Sequence, residues 1–176
     1  MNRENCHLCG ALAEDGGRFQ KRNFLHCTAC DLVFVPAAEQ VSADQAKARY
    51  WRQRNTPEDA GYVAMLSGII ELLHTQSPTA RRVLDYGSGP APMLVKLLRE
   101  SGHEAAGYDP HFTSDTAMTP PFDAVTAVET FEHFAEPRRE VERILGLLRP
   151  DGCLLVQTLL HAGLGRFAEW WYARGP

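Results

Sequence analysis

Residues 81–100, RRVLDYGSGPAPMLVKLLRE, constrain the fold more than any other part of this chain. A short apolar run ends in a glycine turn, and a helical pattern follows with Met93, Leu94, Leu97 and Leu98 on its apolar face. Gly87 and Gly89 permit unusual dihedrals and close backbone approach, while Pro90 and Pro92 suit a helix entrance, where amide donors have no intrahelical partner. A ligand can lie against such a turn. The next strand, GHEAAGYDP, ends in Asp109, twenty residues beyond Gly89 and placed to accept hydrogen bonds from ribose hydroxyls. Strand, turn, helix, strand and acid in this order predict a Rossmann-like α/β fold, a doubly wound and mostly parallel sheet.

The glycine turn alone does not choose the cofactor. A dinucleotide fingerprint would require glycine where Pro92 stands, and a pyrophosphate is poorly matched to the Asp85 carboxylate two residues before Gly87. An NAD-dependent enzyme is therefore the weaker reading. A ligand with an amino-acid tail and a sulfonium cation would instead be attracted by that acid. Leu84-Asp85-Tyr86-Gly87-Ser88-Gly89 resembles the first motif of the class I S-adenosylmethionine-dependent methyltransferases. Asp109 matches that family's ribose-binding acid, FDAVTAVETFEHF is similar to its fourth strand and following loop, and LLRPDGCLLVQT to its helix, turn and fifth strand. The resemblance covers about residues 80–165. It implies S-adenosyl-L-methionine as cofactor, held by Asp85, Tyr86, Gly87, Ser88, Gly89, Asp109 and Glu129.

Three departures from the family pattern shape the expectations. Ala91 stands where a third glycine is common, a mild change because a methyl group still permits close approach. Only PHFTSDTAMTPP separates Asp109 from Phe122, too short for the usual third strand and helix, which leaves Asp115 as the acid available to an adenine pocket. After Thr158 only LLHAGLGRFAEWWYARGP remains, with no sixth or seventh strand. Four parallel strands are expected near 81–86, 104–108, 122–128 and 152–159, in a domain shortened at its carboxyl end and continuing beyond Pro176 in the native protein. The last strand would then be an edge that invites a second copy, hence a homo-oligomer. Trp170, Trp171 and Tyr172 would stack on an aromatic acceptor, seal a core, or meet a missing segment.

Cys6-x2-Cys9 and Cys27-x2-Cys30, seventeen residues apart, have the spacing of a four-cysteine zinc site. With Phe24, Leu25, Leu32 and Phe34 as its main apolar anchors, so small a segment depends on Zn for its stability. Four thiolates close the coordination shell, so the zinc is structural and His7 and His26 are bystanders. Residues 1–36 are similar to four-cysteine ribbons attached to methyltransferase domains. Cys153, inside CLLV, is expected in the core.

Eight acids and no Lys or Arg lie between Arg99 and Arg138, which predicts an electronegative mouth at the carboxyl ends of the strands. Glu129, Glu132 and His133 share one face of a helical turn and resemble the metal-binding segment of certain Mg-dependent O-methyltransferases, with His161 as a fourth ligand; alternatively Glu132 and His133 shape the cofactor pocket. For a hydroxyl acceptor, His133 and then His161 are the candidates to take its proton.

Elsewhere, Ser42-x-x-Gln45 is a capping box, and Thr56-x-x-Asp59 with Pro57 opens a helix carrying Tyr62, Leu66, Ile69, Ile70 and Leu73. A later helix should present Val141, Ile144, Leu145 and Leu148, and stop at Pro150-Asp151-Gly152. The resulting division is a zinc ribbon at 1–36, a helical linker and packing helix at 37–79, and the methyltransferase domain at 80–176. An apolar fraction of 44% with 23% charged residues describes a folded chain, and the net charge of −4 argues against a general nucleic-acid binder. No apolar run is long enough to span a membrane and the start lacks a signal-peptide core, so a cytoplasmic protein is expected. A non-catalytic interaction module built on a cofactor-binding remnant is the competing functional reading. The methyl acceptor itself is not written in the sequence.

Overall fold

The computed structural model describes residues 3–51, 58–113 and 118–174. The chain divides into two compact units, neither continuous in sequence: residues 1–41, 132–141 and 159–176 form the first, residues 42–131 and 142–158 the second. Residues read above as one linear methyltransferase segment are thus shared between both.

In the first unit, β1 (Glu4–Asn5), β2 (Leu12–Phe19), β3 (Arg22–His26) and β4 (Val33–Phe34) form an antiparallel sheet in sequential order. The β2–β3 hairpin turns through Gln20 and Lys21, both at positive φ, the geometry that matches strand twist in a two-residue turn. Cys6, Ala13, Leu25, Cys27 and Phe34 make a small core around the cysteines. A second cluster is aromatic: Phe24 meets Phe167 with ring centroids 5.0 Å apart, and Phe19 and Trp170 pack around them. Phe167 lies in a 3-10 turn, Leu164–Glu169, and Trp170 donates its indole N–H to the Leu159 carbonyl at 2.8 Å. Of the three fates open to the terminal aromatics, Trp170 takes the core-sealing one. The side chain of Trp171 lies outside the described residues.

The second unit holds α1 (Ala43–Tyr50), α2 (Ala60–Gln76), β5 (Arg82–Tyr86), α3 (Met93–Glu100), β6 (Glu104–Tyr108), β7 (Phe122–Val128) and β8 (Leu148–Gln157). Helix α4 (Pro137–Leu147) is divided between the units after Val141. Strand order is β6-β5-β7-β8, parallel throughout, so the four expected strands are present and β8 is outermost on one side. Leu66, Ile69, Ile70 and Leu73 of α2 and Leu94, Val95 and Leu98 of α3 pack with Val83, Ala105, Ala124 and Leu155 of the strands. Cys153 packs against this cluster.

Several local readings need correction. The capping box of α1 forms as expected, Ser42 and Gln45 bonding reciprocally. The cap of α2, however, is Asp59, whose carboxylate accepts from Tyr62 N–H at 3.0 Å; Thr56 and Pro57 lie outside the described residues. In α4 the buried pair is Ile144 and Leu147, while Leu145 is exposed and Leu148 already belongs to β8. Nor does Pro150-Asp151-Gly152 precede the last strand. Phe122 pairs with Leu148 and Ala124 with Cys153, so Arg149–Gly152 are accommodated as an irregularity inside β8.

Candidate functional site

The glycine loop connects β5 to α3 at the carboxyl end of the parallel sheet, where open α/β sheets bind ligands. Gly87 and Ser88 donate their backbone N–H groups to the Tyr108 carbonyl, at 2.7 and 3.0 Å. Asp109, at the end of β6, accepts from Gly89 N–H at 3.0 Å and from His111 N–H at 2.8 Å. This carboxylate therefore holds the loop in place and retains further lone pairs for hydroxyl donors. Gly87 and Gly89 both have positive φ, but for different reasons. A Cβ on Gly87 would stand 2.4 Å from the Thr130 side chain, whereas a Cβ on Gly89 would meet nothing within 4 Å among the described residues. Gly87 is required by protein packing, and Gly89 leaves a bare backbone cradle.

Asp85 is buried in β5, where its carboxylate accepts from the Thr126 hydroxyl at 3.1 Å. Register explains the pair, because Asp85 and Thr126 are direct neighbours across β5 and β7. Burial raises the Asp85 pKa to about 7, with the Asp109 charge acting in the same direction and the Thr126 bond partly offsetting both. Glu129, just past β7, sits at φ 51 with its N–H bonded to the Gln157 carbonyl at 2.8 Å. Burial raises its pKa as well, against the hydrogen bond from the Gln157 side chain. The buried Ser88 hydroxyl has no hydrogen-bond partner among the described residues. Tyr86 is different: its ring is fully buried, 4.9 Å from that of Tyr108, and the Arg143 guanidinium lies over Tyr108 and donates to its hydroxyl at 2.6 Å.

Thr126, Thr130, Arg143 and Gln157 were not singled out from the sequence. Thr126 carried a signal, a polar residue between the apolar pairs Ala124-Val125 and Ala127-Val128, and Gln157 ends the apolar run Cys153–Val156. The electronegative mouth is also narrower than the acid run suggests. Asp123 and Glu104 sit at the amino ends of their strands, where Asp123 accepts from Arg81 and Arg82 N–H and pairs with Arg149, and Glu104 lies near Arg81. Asp115 lies outside the described residues.

In the first unit, Cys6, Cys9, Cys27 and Cys30 bring their sulfurs within 4.8 Å of one another. Cys6 and Cys30 are 3.6 Å apart, and Cys9 and Cys27 3.4 Å. Zn–S bonds of about 2.3 Å in a tetrahedron require sulfurs about 3.8 Å apart, so the cage is the right size for zinc. Two matched knuckles build it. Gly10 N–H returns to the Cys6 carbonyl and Asp31 N–H to the Cys27 carbonyl, with Gly10 and Asp31 both at positive φ. Desolvation opposes ionisation at Cys27 and Cys30. It is outweighed at Cys27, whose pKa hydrogen bonds from Cys9 and nearby backbone lower to about 7, but it dominates at Cys30, raised to about 12. Only a cation at the centre would make four neighbouring thiolates favourable. His7 contacts Glu4 at 2.5 Å and His26 contacts Asp31 at 2.7 Å, outside the sulfur cage.

The other proposed ligands and bases are less well gathered. Glu129 belongs to the second unit, and Glu132, His133 and His161 to the first; among the described residues the group of three or more gathered ligand atoms is that of the four cysteines. His133 Nε2 lies 3.8 Å from Glu132 Oε1, and its ring meets Tyr172 edge-on. His161 lies edge-on to Phe167 and Trp170, and its Nδ1 accepts from Gly163 N–H at 3.1 Å. With Nδ1 occupied as an acceptor, the neutral ring carries its proton on Nε2 and presents a donor there.

A glycine loop and an acid at the carboxyl ends of a parallel sheet define a Rossmann-like ligand-binding domain. Residues 50–176, well over half the chain, match the family described as Methyltransferase domain, and the chain belongs to this class I methyltransferase family. A search of the curated proteins found no match. No described helix is long and apolar enough to cross a membrane.

Proposed function

We propose that this protein transfers a methyl group from S-adenosyl-L-methionine to an acceptor, and that the bare backbone at Gly89 beside the Asp109 carboxylate is the cofactor's seat. The missing Cβ contact at Gly89 is the observation that carries this reading, because it leaves room for a ligand against the loop. Asp109 would bind ribose hydroxyls, Ser88 and the loop backbone from Gly87 to Gly89 the remaining polar groups, and Asp85 and Glu129 would favour the ligand's positive charge. Tyr86 contributes through its main chain. When bound, the cofactor supplies an electrophilic methyl group on a sulfonium centre. The chain's own residues then orient the acceptor and take up its proton, and positioning accounts for much of the rate. For a hydroxyl acceptor we assign the proton to His133, because His161 offers an Nε2 donor in its present tautomer. Mg is not needed by this assignment.

The same proposal makes residues 1–36 a structural Zn ribbon, 37–79 a linker and packing helix, and 80–176 the catalytic segment, in a reducing, cytoplasmic setting that keeps the thiols available. The outer position of β8 supports association with a second copy through that edge. Calorimetry of the zinc-loaded chain with S-adenosylhomocysteine tests the central claim. One binding event per chain, weakened by Asp109→Ala, is expected; binding of NAD without S-adenosylhomocysteine would overturn it.

A further inference from the structure

At the end of the second unit's sheet opposite the glycine loop, two histidines from separate elements meet. His74 lies in the last turn of α2 and His103 immediately precedes β6. Their Nε2 atoms are 3.0 Å apart, and their rings lie 29° from parallel with centroids 5.2 Å apart. His103 Nδ1 is 3.1 Å from the Ala80 carbonyl oxygen. A carbonyl oxygen can only accept, so Nδ1 bears the proton and the neutral His103 ring directs its Nε2 lone pair at His74.

We propose that His74 and His103 form a two-imidazole site for a divalent transition-metal ion, independent of the four-cysteine centre and of the cofactor loop. Two imidazole nitrogens about 2.0–2.1 Å from one ion are roughly 2.9 Å apart at a right angle and roughly 3.4 Å apart at the tetrahedral angle. The observed 3.0 Å falls between them. Centroids 5.2 Å apart, however, show the two nitrogens facing each other as a hydrogen-bonded pair, so the exposed His74 ring must swing aside for an ion to sit on the His103 lone pair. The Ala80 carbonyl fixes the ring and tautomer of His103, as such acceptors do for metal-ligating histidines. His74 is exposed, so its proton can move to Nδ1 and face water, which frees the second Nε2 lone pair. The carbonyl end of α2 also favours positive charge beside His74. Imidazole donors select Zn²⁺, Ni²⁺ or Cu²⁺ over Mg²⁺ and Ca²⁺. Among the described residues no third His, Cys, Asp or Glu completes the group, so the other positions belong to water or to a donor from another molecule. The bound ion would tie the end of α2 to the turn before β6.

Ni²⁺ titrated calorimetrically into the zinc-loaded protein above neutral pH is the test, with zinc release monitored in parallel. The wild type should bind one Ni²⁺ without losing zinc and gain thermal stability, because only the folded state juxtaposes the rings. His74→Ala and His103→Ala should each weaken binding by roughly a hundredfold, through loss of the chelate advantage. His74→Gln, at an exposed helical position, keeps the test meaningful if the His103 variant fails to fold. Absence of Ni²⁺ binding by the wild type, or equal binding by the wild type and His74→Gln, would overturn the proposal and leave a simple histidine hydrogen bond.

Discussion

Replacing Asp85 by Asn should stabilise the ligand-free protein, although the acid lies in the most enclosed part of the candidate site. Burial is the dominant cause of its raised pKa, which moves from an ordinary 3.8 to about 7. At about 1.4 kcal/mol per unit, that shift corresponds to roughly 4 kcal/mol as a ceiling on the cost of holding the carboxylate charged. The sign follows from proton binding. Between about 4 and 7 the folded state holds a proton that the unfolded state has released, so stability falls as pH rises through this window and the loss is complete above about 7. Asn keeps an oxygen for the Thr126 hydroxyl and never ionises. Relaxation around the charge reduces the ceiling, and a gain of at least about 1 kcal/mol at pH 8 is expected, shrinking to nothing near pH 4. Urea unfolding of the zinc-loaded chain, followed by circular dichroism across this pH range, measures it. Equal or lower stability of the variant at pH 8, or a difference that does not vary with pH, would refute the account. The same substitution should weaken binding of S-adenosylhomocysteine, since the charge that burdens the empty fold is the one a cationic ligand would use.

The two glycines should fail in different ways. Gly87→Ala meets Thr130 at 2.4 Å and is strained at φ +86, so a loss of at least about 2 kcal/mol in thermal unfolding is expected. Gly89→Ala, with nothing within 4 Å among the described residues, should cost about 1 kcal/mol of stability and act mainly on cofactor affinity; a larger stability loss than at position 87 would contradict this assignment. Asp109→Ala should weaken S-adenosylhomocysteine binding by about 1–3 kcal/mol and raise hydrogen exchange at Gly89, whose amide loses its acceptor. Elemental analysis of protein purified under reducing conditions should give one Zn per chain, and Cys27→Ser should abolish it while the parallel sheet keeps its amide protection. Light scattering should show a dimer or larger species; a strict monomer at high concentration would remove the role proposed for the β8 edge.

What was legible in the sequence is what a residue demands of its own backbone or of a near neighbour. The glycine loop, Asp109, the capping box of Ser42 and Gln45, and the apolar stripe of α2 all belong to this kind, and all lie where expected. The cysteine spacing was equally local within each knuckle. Partners set by register or by distant packing were not legible. FDAVTAV contains Thr126 without showing that β7 will place it beside Asp85 instead of Leu84 or Tyr86, and that placement decides whether the buried acid has a donor. Gly87 shows the same limit from the other side. Its freedom from a side chain was read as room for a ligand, yet the neighbour that forbids a Cβ is Thr130, delivered by the loop after β7. Phe167 is a third case, since nothing in HAGLGRFAEWWYARGP announces Phe24 as its partner. The acid run misled because counting charges along the chain ignores which end of a strand each one occupies. Asp123 and Glu104 begin their strands and bind arginines there, whereas Asp109 ends one. Parallel strands separate the two groups by a whole strand length, and among the described residues of this unit Asp85, Asp109 and Glu129 are acids at the carboxyl ends.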